Sequence, residues 1–141
     1  MSRSMMGKTR AVTDPGGADE RLRGRTYAIP FEQVWKACLH LAGGGLNRWH
    51  VLDADDQRGF ITAEARSAIF RVVDDVYIRI GLDENGQTRV DMELHTRNDK
   101  GDMGRLTRMA GAFARRLDRY LKAEPWQILE ASSPSTVRAN R

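Results

Sequence analysis

Two spacings of apolar residues divide this chain into helix and strand. Phe31, Val34, Trp35, Cys38, Leu41 and Ala42 recur at intervals of three and four, as one buried helix face requires. Pro30 suits the first turn of that helix, where a missing N–H costs nothing, and Gly43-Gly44-Gly45 ends it. The preceding RTYAIP reads as a short strand. After the glycines the spacing changes to two. RWHVLDAD and FITAEAR form an antiparallel pair across Asp56-Gln57-Arg58-Gly59, which is good turn chemistry. In FRVVDDVYIRIGL the residues Val76, Ile78, Ile80 and Leu82 alternate with Tyr77 and Arg79. In TRVDMELHTR the residues Val90, Met92 and Leu94 alternate with Arg89, Asp91, Glu93, His95 and Arg97, so each strand has one wet face.

The turn between these last two strands fixes their register. A two-residue Asn85-Gly86 loop sets Leu82 opposite Arg89 and mixes the faces. A three-residue Glu84-Asn85-Gly86 loop with a left-handed Gly86 pairs Asp83 with Gln87 and aligns apolar with apolar. The outer face then pairs Arg79 with Asp91, Tyr77 with Glu93 and Asp75 with His95. From Met103 to Lys122 the helical spacing returns. Met103, Leu106, Ala110, Phe113, Leu117 and Leu121 make one stripe, with Arg105, Arg108, Arg115, Arg119 and Lys122 opposite. Asp102 stands where an N-cap is expected, contributing about 1 kcal/mol.

The order strand, helix, strands, long C-terminal helix predicts an α+β fold: an antiparallel sheet of four to five strands packed by two helices, in a helix-grip-like arrangement. Residues 1–22 and 130–141 lack periodicity and are expected to be flexible, leaving one domain over 23–129. No apolar run approaches the roughly 18 residues of a membrane span, and the N-terminus has no apolar segment of a secretory signal. A cytoplasmic location is therefore expected. A single cysteine, Cys38, excludes an internal disulfide and a cysteine metal cluster, and it lies on a helix stripe where a thiol acts as a small hydrophobe. The net charge of +4 is local, because the last helix alone carries six basic residues against one aspartate.

From Val90 to Phe113 the chain resembles the bacterial and plastid family known as domain of unknown function 1499. The resemblance rests on Val90 and Asp91, on Arg97, on Asp102 with Gly104, and on Arg108 and Phe113. Upstream, VVDDVYIRI with Asp74 and Asp75 resembles the family's paired-aspartate strand. Glu93 and Leu106 depart from it, standing where the family typically has arginine and asparagine. The resemblance implies a fold and brings no biochemical assignment.

Two sets of residues carry candidate chemistry. Asp74, Asp75, Asp91, His95, Arg97, Asp102 and Arg108 can converge as a polar cluster near the corner between the last strand and helix. The bland reading is that Arg97 and Arg108 pair with those aspartates to tie strand to helix. A hydrolase or lyase built on Asp74, Asp75 and His95 has no nucleophile placed by any motif. The second set, Arg105, Arg108, Arg115, Arg119 and Lys122, forms a possible interaction surface. His40 and His50 lack metal-ligand spacing, and the G-x-x-G run Gly101 to Gly104 follows a strand rather than lying between two helices, so neither a metal nor nucleic acid is expected. No cofactor is expected. The sequence thus favours a non-catalytic module, an accessory subunit that binds a protein through the basic helix or the charged sheet face. The alternative is a carrier whose helix-grip cavity, lined by Val76, Ile78, Met92, Leu94 and Phe113, holds a small apolar or lipid-like ligand. Trp126 and Ile128 are expected to fold back onto the core.

Overall fold

The computed structural model describes residues 10–68, 72–97 and 103–129. Its sheet is built outward from two long strands, β5 (Val73–Leu82) and β6 (Thr88–Thr96), joined as an antiparallel hairpin. The register is the one that the three-residue loop demands: Arg79 faces Asp91, Tyr77 faces Glu93 and Asp75 faces His95. Gly86 is left-handed at φ 77°, and the Asp83 and Gln87 backbones bond at 2.8 Å. The Asp83 carboxylate accepts the N–H groups of Asn85 and Gln87, each at 2.9 Å, and locks the turn.

Strand β4 (Phe60–Arg66) pairs with β5, and β3 (Trp49–Asp55) pairs with β4 through a bulge between Val51 and Asp53 that leaves Leu52 exposed. The turn from β3 to β4 brings Gly59, at φ 70°, against the carbonyl oxygen of Ile80, where a Cβ has no room. The far edge of β6 is shared by β1 (Arg10–Val12) and β2 (Arg25–Tyr27), and β2 pairs in turn with β7 (Ile128–Leu129). The sheet has seven strands, not four to five. The additions, β1 and β7, span three and two residues, too few for alternation to be read. Residues 10–22, read from sequence as a flexible segment, here carry β1, and Ala11 is buried in the core.

Helices α1 (Phe31–His40) and α2 (Met103–Leu121) lie on one face of this sheet. Val34, Cys38 and Leu41 from the first segment and Leu106, Ala110, Phe113 and Leu117 from the second bury the expected stripes against Ile61, Val76, Ile78, Ile80, Val90 and Leu94. Burying each large aliphatic or aromatic side chain contributes about 1.5–3 kcal/mol. The Trp49 and Phe113 rings stack at 5.5 Å across the layers. After α1 the chain passes through a wide turn at Leu41–Gly45 with Gly44 at φ 124°, so the glycines end the helix as the sequence suggests. Ile128 docks beside Tyr27, but Trp126 is 69% exposed and does not fold back. The chain is therefore an α+β protein with a mostly antiparallel sheet, one face covered by two helices and the other wet.

Candidate functional site on the outer sheet face

Because side chains alternate across a strand, the register sets the outer face as rows. Phe60, Arg79 and Asp91 form one row. Thr62, Tyr77, Glu93 and Val12 form the next, and Glu64, Asp75, His95 and Arg10 the third. Over this grid lies a trough of about 530 Å³, lined by the side chains of Phe60 and Tyr77 from the sheet and bordered by Val12, Thr13 and Pro15. The Phe60 and Tyr77 rings are nearly parallel, 22° apart with centroids at 6.4 Å, and the His95 ring meets Tyr77 edge-on at 5.7 Å.

Most charges on this face are already matched. The Asp91 carboxylate accepts the Arg89 guanidinium at 2.7 and 3.0 Å and the Thr13 hydroxyl at 2.8 Å. Glu93 sits 2.6 Å from His95 Nε2. Arg97 donates to Asp75 at 2.6 Å and to Glu64 at 2.8 Å, and the bond to Arg97 holds Glu64 below its ordinary value of 4.5. Among the described residues Arg79 is the trough cation with neither a hydrogen bond nor an ion pair.

The expected polar cluster does not assemble as one group. Alternation sends Asp75, Asp91, His95 and Arg97 to the outer face and Asp74 to the inner one, beside Val76. Asp74, with its side chain only 2% exposed, is neutralised by Arg105 through bonds of 2.6 and 2.9 Å. Thr96 accepts from the same guanidinium at 3.3 Å. Sequence reading gave this strand-to-helix tie to Arg108, which is instead exposed; less than one helical turn separates the two arginines, and Arg105 is the one on the core side. Asp102, with its expected capping role, lies outside the described residues. With Asp74 on the opposite face, Asp74, Asp75 and His95 share no site. Nor do three His, Cys, Asp or Glu side chains come together as metal ligands among the described residues.

The interaction surface expected on α2 divides likewise. Arg108, Arg115 and Arg119, with Lys122 just beyond the helix, are exposed and are joined by Arg116, whereas Arg105 is engaged with Asp74. Asp118, the acid of this helix, turns inward. It accepts Arg25 at 2.7 and 2.9 Å and the Tyr27 hydroxyl at 2.5 Å, clamping β2 to α2. Burial, aided by Asp118, pushes the Tyr27 hydroxyl far above its usual value, and burial does the same to the Cys38 thiol. Sequence reading missed this clamp, although Tyr27 on a short strand beside the only acid of a basic helix is a signal of the right kind. The proposed apolar cavity lining is packed. Val76, Ile78, Leu94 and Phe113 are at most 1% exposed, and the gap that touches Met92 and Phe113 holds about 10 Å³.

Fold and surface together define a small α+β domain with a charged sheet face on one side and a basic helix face on the other. The chain belongs to the family described as Protein of unknown function (DUF1499), which matches residues 10–117. That match begins at β1, in agreement with its place in the sheet. No curated protein and no solved structure matches the chain. No helix among the described residues is long and apolar enough to cross a membrane.

Proposed function

We propose that this chain is a non-catalytic accessory module that docks an acidic protein partner on the exposed face of α2, in a helix-grip-like frame. The observation that carries this reading is the row Arg108, Arg115, Arg116, Arg119 and Lys122, whose side chains are without an ion pair among the described residues. Arg115 with Arg119, Arg116 with Arg119, and Arg119 with Lys122 lie three or four residues apart. Each such like-charge pair costs an isolated helix about 0.2–0.5 kcal/mol. Acids interspersed at these positions would serve solubility equally well and remove that repulsion. Asp118 does not, because it is spent on Arg25 and Tyr27. An acidic surface laid over the row relieves the repulsion and supplies arginine-rich contacts of the kind interfaces favour.

The test compares the folded protein with an Arg108→Glu, Arg115→Glu, Arg119→Glu triple variant in pull-downs from native extract, followed by binding of the purified partner. Arg105 is left unchanged, since its loss strands Asp74. A stoichiometric partner bound by the first, released by salt and lost from the second supports the reading. A partner that binds both equally well sinks it, as does the absence of any stoichiometric partner.

A further inference from the structure

The trough lies on the outer face of the sheet, opposite the two helices. Its volume of about 530 Å³ falls within the roughly 300–1,000 Å³ typical of small-molecule sites. Two aromatic side chains line it, Phe60 and Tyr77, with their rings nearly parallel to each other. Its carboxylates are committed: Asp91 to Arg89 and Thr13, Glu93 to His95. Arg79 stands between Phe60 and Asp91 in the same row, exposed and unengaged among the described residues. A spare guanidinium offers a carboxylate two parallel N–H donors, and aromatic rings beside it offer a planar body a stacking surface.

From this complementarity we infer that the trough is a binding site for a small aromatic carboxylate. The ring lies over Phe60 and Tyr77, and the carboxylate meets Arg79. The Val12–Pro15 segment closes one side, so β1 and the chain that follows it help to shape the site. A neutral or cationic aromatic of the same shape lacks the partner for Arg79, and an aliphatic carboxylate lacks the stacking. The inference is independent of the acidic protein proposed for α2, because the site uses other residues on the opposite side of the sheet.

The experiment uses 1-naphthoate as probe and 1-naphthamide as its uncharged counterpart, titrated into the full chain and followed by backbone amide NMR. Naphthoate is expected to saturate, moving the amides of Tyr77, Arg79 and Glu93. The amide analogue should bind at least tenfold more weakly. Arg79→Gln should weaken naphthoate at least tenfold with an otherwise unchanged spectrum, and Tyr77→Leu should weaken both compounds. Arg79 is exposed, so its variant is expected to fold; Arg79→Lys provides a second reading, retaining charge but losing the paired donors. The inference is overturned if naphthoate shows no saturable binding up to about 10 mM. It is equally overturned if acid and amide bind alike, or if Arg79→Gln binds as the native protein does.

Discussion

Asp74 and Asp75 are adjacent, yet their environments separate them. Asp74 shares the inner face with Val76 and Ile78, nearly sealed from water, and depends on Arg105, whose own side chain is 26% exposed. Removing one partner of a buried pair leaves a charge uncompensated and costs about 3–5 kcal/mol, whereas an exposed pair contributes about 1 kcal/mol or less. Arg105→Met is therefore expected to lower unfolding free energy by about 3 kcal/mol, the lower end reflecting the partial exposure of Arg105. Arg97→Met, on the wet face, should cost clearly less. Urea denaturation of the two variants checks the ordering, and equal losses would refute it. The second variant also carries a pH dependence. Since Arg97 depresses Glu64 in the folded state, their bond stabilises fully above the unfolded value of 4.5 and fades as pH falls through the lower folded value. The stability gap between the native protein and Arg97→Met should thus narrow as the medium is acidified below 4.5. Alternation along β5 was the signal for the inward direction of Asp74, but the sequence reading grouped it with the outward Asp75. Which arginine answers it was not legible, because Arg105 and Arg108 differ by less than one turn.

At the scale of the element, local signals were legible wherever hydrophobic period and turn chemistry agreed. The β5–β6 register followed from Gly86 and from the need to keep Val76, Ile78 and Ile80 on one face. The apolar stripe of α2 followed from spacing alone. What escaped was short or non-local: β1 and β7 carry too few residues for a period, and the clamp from Asp118 to Arg25 and Tyr27 joins positions more than ninety residues apart. Half of the trough was therefore visible, since Tyr77 and Arg79 were placed on the wet face, while Val12, Thr13 and Pro15 were not. The clamp has a measurable consequence. Tyr27→Phe removes a hydrogen bond to a charged acceptor, and such bonds contribute about 1.5–3 kcal/mol. Because Arg25 still satisfies Asp118, a loss of about 1.5 kcal/mol is expected, read as a lower denaturation midpoint with an unchanged slope. Gly59→Ala should be more damaging, because it imposes both a strained φ and a clash with the Ile80 carbonyl. A native-like melting temperature for this variant would show that the β3–β4 turn can shift away from β5.

For the whole molecule, the sheet separates two surfaces of different chemistry. The cations of α2 project away from the core on one side, and the aromatic trough opens on the other. At least one helix diameter, about 10–12 Å, lies between the outer row of α2 and the sheet. The screening length is about 8 Å at physiological ionic strength and about 30 Å at 0.01 M. Changing Arg108, Arg115 and Arg119 to Glu removes two charges at each of three positions from a chain of net charge +4, making it acidic overall. At physiological salt this should leave the affinity of the trough for 1-naphthoate within about twofold, because mutations at distant sites without shared partners act independently. At low salt the same variant should bind the anion more weakly, as the reversed potential reaches across the molecule. Arg79→Gln should in turn leave partner retention on α2 unaltered at either salt concentration, having changed a single charge on the far face. Titrations of both variants at the two ionic strengths provide the measurement. A large loss of naphthoate affinity in the triple variant at physiological salt would mean that the helix layer and the trough are coupled through the sheet. The two surfaces would then be parts of one site rather than separate sites on one frame.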